Sequence, residues 1–131
     1  MKRDMDLIRA ILLKVEGNAH GFMPSQLEID GYTKEQVGYH VYLMGQAGLA
    51  EVLTSRRDLD TSPSAVLKNL TWQGHEFLGA SRNPGIWGQA KAIIARAGDG
   101  SFGIWQSVLT DLVKRTLACR DIWNMGVAFV C

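Results

Sequence analysis

Two cysteines, three prolines and the lack of any long apolar run set the first limits on this chain of 131 residues. Cys119 and Cys131, the second of them the last residue, cannot build a disulfide framework, and no Cys-x-x-Cys spacing offers a thiol or metal site. No apolar stretch approaches the roughly 20 residues that a membrane-spanning helix needs, so no membrane association is expected. The opening MKRDMDLIRAILLKVEG carries Asp4, Asp6 and Glu16 among its apolar residues and has no small-residue cleavage site. It therefore does not read as a signal peptide, and the expected location is the cytoplasm. An excess of one charge is also lacking: 14 Lys+Arg stand against 13 Asp+Glu, net +1. Bulk attraction to nucleic acid or anionic lipid is accordingly weak.

What is present is a chain that is 47% hydrophobic, long enough to bury a core without disulfides or metal. Leu7, Ile8, Ile11, Leu12 and Val15 recur at helical spacing and predict a helix from about Asp4 to Glu16, stopped by Gly17-Asn18. Residues 18–32 read as loop with one short candidate strand at Gln26–Ile29. Thr33 followed by Gln36 has capping-box spacing and predicts a helix from Lys34 to about Ala47. Its inward stripe is Val37, Val41 and Met44, with His40 and Ala47 at the margin and Glu35, Tyr39, Tyr42 and Gln46 facing away. LAEVLT and AVLKNLTW, separated by the polar SRRDLDTSPS, predict a β-hairpin. Thr71 caps a further helix carrying Phe77 and Leu78, which ends near Asn83-Pro84.

Two more helices follow in the pattern. Pro84 suits a first helical turn, and Trp87, Ala90, Ile93 and Ile94 form a stripe that lasts to Gly98. Ser101 caps a last helix through about Ala118 with the stripe Ile104, Trp105, Val108, Leu109 and Leu112. Trp72, Trp87 and Trp105 are read as core residues that tie the C-terminal elements to the hairpin. This layout predicts an α+β fold, a winged helix-turn-helix domain over 1–82 with a C-terminal helical extension over 83–131.

Three separated phrases strengthen that fold. MKRDMDLIRAILLKVEG, YTKEQVGYHVYLMGQAGL and LTWQGHEFLGASRNPGIW resemble, in this order, the bacterial and phage proteins of domain-of-unknown-function family 2513 and, more distantly, the YjcQ-like proteins. The resemblance runs from Met1 to about Thr116 and implies a small winged-helix-like protein, with no activity, cofactor or catalytic residue to carry over. The tail after Arg120 has no counterpart in it.

The first functional expectation is a non-enzymatic DNA-binding regulator. Its contacts would be Lys34, Tyr39, Tyr42 and Gln46 on the outer helix face, with Arg56, Arg57 and Lys68 on the wing. Glutamine can read adenine through two hydrogen bonds, and paired arginines suit phosphates or a narrow minor groove. Charge argues against it, since residues 1–82 hold nine Lys+Arg against ten Asp+Glu, while 83–131 hold five against three. The alternative is a protein-interaction module, for example a phage-encoded inhibitor of a host defence complex, in which Tyr39 and Tyr42 anchor a partner. Val113, Leu117, Trp123 and Phe129 form a separate apolar set suited to a homodimer contact.

Catalysis ranks below both. His75-Glu76 starts like a zinc-protease helix, but Gly79 stands where the second histidine would be. His40 reads as a packed, hydrogen-bonded histidine, and His20 has no partner at a telling spacing. Gly98, Gly100 and Gly103 make a glycine-rich turn before a helix but fit no phosphate-binding pattern. No metal or cofactor is expected.

Overall fold

The computed structural model describes residues 2–18, 21, 27–54, 63–98 and 100–124, with only the backbone of 118–124. Among them are five helices and one antiparallel pair of strands, an α+β arrangement divided into two compact units, Met1–Leu78 and Gly79–Cys131.

In the first unit, helix α1 spans Met5–Glu16. Asp4 caps it in extended conformation, its Oδ1 accepting from the N–H groups of Asp6 (2.9 Å) and Leu7 (3.3 Å). The five apolar residues expected inside are all buried, joined by Met5. Removing each Leu or Ile side chain from water contributes roughly 1.5–3 kcal/mol, which holds this helix in place more firmly than its intrinsic propensity does. The segment 27–29 is not a strand, and Gln26 lies outside the described residues. Leu27 alone anchors it in the core, and a turn closed by Tyr32 N–H to Ile29 O (3.2 Å) takes the chain over before any ladder can form.

Helix α2 spans Lys34–Gln46, and the capping box is complete. Gln36 N–H donates to Thr33 Oγ1 (3.1 Å) and Thr33 N–H to Gln36 Oε1 (2.8 Å). At its other end Gly48 takes φ +77, which lets Leu49 N–H reach back to Met44 O (3.0 Å) and Gly48 N–H to Gly45 O (3.2 Å). That is a Schellman closure, and it turns Leu49 into the core against Met44, both fully buried.

The chain then enters β1 (Ala50–Thr54) and β2 (Ala65–Leu70), the expected hairpin. Ala50 faces Leu70 and Glu51 faces Asn69, but Val52 faces Leu67, so Lys68 is one extra residue in β2. This bulge shifts the alternation by one and lets Leu67 and Leu70, three apart, both point inward. Helix α2 packs on both strands and on α1. The approach is tightest at Gly45, where a β-carbon would stand 2.5 Å from Val52 Cγ2; the absent side chain sets how near the hairpin lies to the helix.

Helix α3 (Trp72–Ser81) follows directly, and the unit boundary falls inside it. Thr71 bridges both ends of the junction, its hydroxyl donating to Gly48 O and accepting from Gly74 N–H (3.1 Å). Trp72 is not core: it is 79% exposed. Gly74, Phe77, Leu78 and Ser81 define the buried face, and at about 100° per residue Trp72 lies on the opposite side of the helix.

The second unit contains α4 (Pro84–Arg96), capped by Asn83, and α5 (Phe102–Asn124), which packs on it. Ile86, Trp87, Ala90 and Ile94 form the buried stripe of α4, whereas Ile93 sits on its flank and is 42% exposed. On α5 the buried stripe is Trp105, Leu109 and Leu112; Ile104, one residue and about 100° out of phase with it, is exposed. Trp87 and Trp105 stack with centroids 4.8 Å apart, so these two are core as expected. Ser101 Oγ accepts from Ile104 N–H (3.4 Å) at the helix start. Helix α5 outlasts its expected end near Ala118 by six residues, because residues 119–124 lack the Gly or Pro that ends a helix.

Candidate functional site

The α2 core residues Val37, His40, Val41 and Met44 turn Glu35, Tyr39, Tyr42 and Gln46 to the other side of the helix. Gln46 is exposed, and Tyr39 and Tyr42 are half-buried rather than fully presented. Gln46 Nε2 donates to Tyr42 Oη across one turn (3.0 Å), which fixes the amide and occupies one of its two N–H groups. Glu35 stands exposed in the same face. Lys34 is exposed too, but lies about 100° around the axis from Glu35, at the margin of the tyrosine face.

On the hairpin, Lys68 is the bulge residue and is exposed. Arg56 and Arg57 lie outside the described residues, so α2 and the two strands present two lysines, Lys34 and Lys68, beside two acids, Glu35 and Glu51. Over whole units, Met1–Leu78 holds eight Lys+Arg and ten Asp+Glu (net −2), and Gly79–Cys131 holds six and three (net +3). Of the proposed oligomer set, Val113 is half-buried and Leu117 is 53% exposed. The Trp123 side chain and Phe129 fall outside the described residues.

One feature that the sequence reading did not single out is the outer side of the hairpin. Leu53 and Val66 are direct cross-strand partners, and both face solvent, at 60% and 56% exposure. The only sequence signal for it is the outward phase of Leu53 and Val66 in strands whose inward residues are Val52, Ala65 and Leu67.

His40 is at the centre of the α1–α2 junction and is 2% exposed, deeper than its expected place at the stripe margin. Its Nδ1–H donates to Gln36 O (2.8 Å) and its Nε2 accepts from Asp4 N–H (2.8 Å), which selects the neutral Nδ1–H tautomer. The ring of Tyr39 meets it edge-on at 5.9 Å. The Asp4 carboxylate turns away from the imidazole: Oδ1 caps α1 and Oδ2 accepts from Tyr32 Oη (3.1 Å). The Tyr32 phenol pKa is raised, first by desolvation and then by this hydrogen bond and the charges of Asp4 and Asp6. With both imidazole nitrogens held by backbone groups, His40 has no free nitrogen for proton transfer or metal binding. His75 and Glu76 are exposed on α3, and no group of three His, Cys, Asp or Glu among the described residues is placed to hold a metal. No helix among the described residues is long and apolar enough to cross a membrane.

The amino-acid sequence, rather than the geometry, connects the chain with known proteins. A curated protein of Haemophilus influenzae, described as an uncharacterized protein, is 36% identical over an alignment of 124 residues that covers 90% of this chain and all of the relative. No solved structure matches the chain. The family model described as "Hypothetical protein (DUF2513)" matches residues 2–100, from the N-cap of α1 through α4, and the chain belongs to that family.

Proposed function

We propose that the protein is a non-enzymatic winged-helix regulator that binds DNA through α2 and the hairpin. The observation that carries this reading is the placement of a helix whose outer side bears Glu35, Tyr39, Tyr42 and Gln46 directly against a two-stranded hairpin, in the order helix, helix, hairpin. In this reading α2 enters the major groove, with Tyr39, Tyr42 and Gln46 near base edges. Lys34, Arg56, Arg57 and Lys68 contact phosphates. Four such contacts give a salt dependence, log K against log [salt], of about −3.6 per copy.

Fluorescence anisotropy on a panel of genomic duplexes at two salt concentrations tests it. The expected result is saturable binding with that slope, reduced by about 1.8 in the double variant Arg56→Ala/Arg57→Ala. Absence of binding at low salt on every duplex overturns it.

The second reading, a protein-interaction module such as an inhibitor of a host complex, draws on a specific observation. The α2 face pairs two tyrosines with Glu35 in a unit of net charge −2, a composition closer to a protein interface than to a phosphate-binding surface. A partner captured after nuclease treatment, and lost on Tyr39→Ala, would favour it over DNA.

A further inference from the structure

We infer that the outer face of the β1–β2 hairpin docks on the same face of a second copy of this chain, about a two-fold axis parallel to the strands. The face has two rows. Nearer the Thr54–Ala65 end of the ladder, Leu53 and Val66 stand side by side as an exposed apolar pair. One step along the strands, Glu51 on β1 and the bulge residue Lys68 on β2 are both exposed, and among the described residues neither is in an ion pair.

A two-fold axis along the strands preserves position along them and exchanges β1 with β2. Leu53 of one copy then lies over Val66 of the other, and Val66 over Leu53. In the same operation Glu51 lies over Lys68 and Lys68 over Glu51, giving two reciprocal ion pairs beside a closed apolar cluster. Packed sheets sit about 10 Å apart, within reach of Glu and Lys side chains extended toward each other. An isologous contact needs one patch complementary to itself, and this arrangement of two apolar and two oppositely charged residues satisfies that requirement. Lys68 lies two residues from Val66 and so shares its face, next to Asn69, the cross-strand partner of Glu51.

The face is far smaller than the roughly 800 Å² per partner of a standard stable interface, so self-association is expected only at about 0.1–1 mM chain. Lys68 cannot serve a phosphate and Glu51 of the second copy at once, so this contact belongs to the chain free of DNA.

The test is sedimentation velocity of the full chain at low ionic strength, from about 10 µM to 1 mM. The wild type shows concentration-dependent association. Glu51→Lys alone and Lys68→Glu alone each weaken it about tenfold, because both reciprocal pairs become repulsive. An equimolar mixture of the two variants restores it, since each mixed dimer regains two attractive pairs. Leu53→Ser abolishes it, and Leu117→Ser leaves it intact. All four residues are exposed, and unchanged circular dichroism confirms folding. A chain that stays monomeric throughout overturns the proposal. So does association that the two charge variants leave unchanged, that their mixture does not restore, or that depends on Leu117 and not on Leu53.

Discussion

Replacing His40 probes the junction that joins α1 to α2. The ring is 2% exposed and holds two backbone groups, Gln36 O and Asp4 N–H, each at 2.8 Å. In His40→Leu the volume is nearly kept and both hydrogen bonds are lost. Gln36 O retains its place in the helical ladder, but Asp4 N–H, at the cap of α1, loses its partner. A part-buried donor left unpaired costs about 1–3 kcal/mol, and packing adjustments bring the expected loss to about 2 kcal/mol. His40→Ala removes the same bonds and leaves a cavity as well, for an expected loss of about 4 kcal/mol. Urea unfolding followed by far-UV circular dichroism gives the overall difference. Amide exchange locates it: protection of Leu7 and Ile8 at the start of α1 falls before that of α4. If His40→Leu is as stable as wild type within about 0.5 kcal/mol and α1 exchange is unchanged, the junction has been misread.

The helical glycines separate two effects that share one chemistry. Gly74→Ala places a β-carbon 2.0 Å from Leu49 O and is expected to destabilise by about 2 kcal/mol, although alanine is the better helix former. Gly79→Ala meets nothing within 4 Å and should stabilise by about 0.5–1 kcal/mol; paired thermal melts check both signs. Trp72→Ala should change stability by less than about 0.5 kcal/mol while removing an exposed emission band, because the side chain is 79% exposed. Tyr32 has a pKa above 10.0 in the folded chain, so its contribution is present below pH 10 and is lost as pH rises through the folded value. Wild type should therefore lose stability at alkaline pH more steeply than Tyr32→Phe, as read by melts between pH 8 and 11.

Helix starts were legible because caps are local chemistry. Thr33, Thr71 and Ser101, read as caps, each lie three residues from the N–H they accept; Asp4 and Asn83 cap α1 and α4 in the same way without having been singled out. Stripes were legible to within one residue, and the errors were all of phase. Ile93 and Ile104 are apolar neighbours of a stripe whose actual centre is set by Trp87 and Trp105 stacking, a tertiary contact that no local spacing encodes. Trp72 was misplaced for a different reason: size and hydrophobicity suggest burial, but its helical phase, opposite Phe77 and Leu78, decides exposure. The Lys68 bulge was not legible, since it arises from the need of Leu67 and Leu70 to reach one core. Nor was the Asp4–His40–Tyr32 cluster, whose members are 28 and 36 residues from Asp4. At the candidate site the outward residues of α2 followed directly from the 3.6-residue period. Their partial burial and the Gln46–Tyr42 bond depend on side-chain conformation and did not.

The most direct test of the α2–hairpin reading is a two-dimensional amide spectrum of the isotopically labelled chain, titrated with a duplex selected from genomic fragments. The account predicts saturable shifts at Lys34, Tyr39, Tyr42 and Gln46 and along β1 and β2, with α4 and α5 unmoved. Shifts confined to the net-positive residues of Gly79–Cys131, or none at all at low salt, would contradict it.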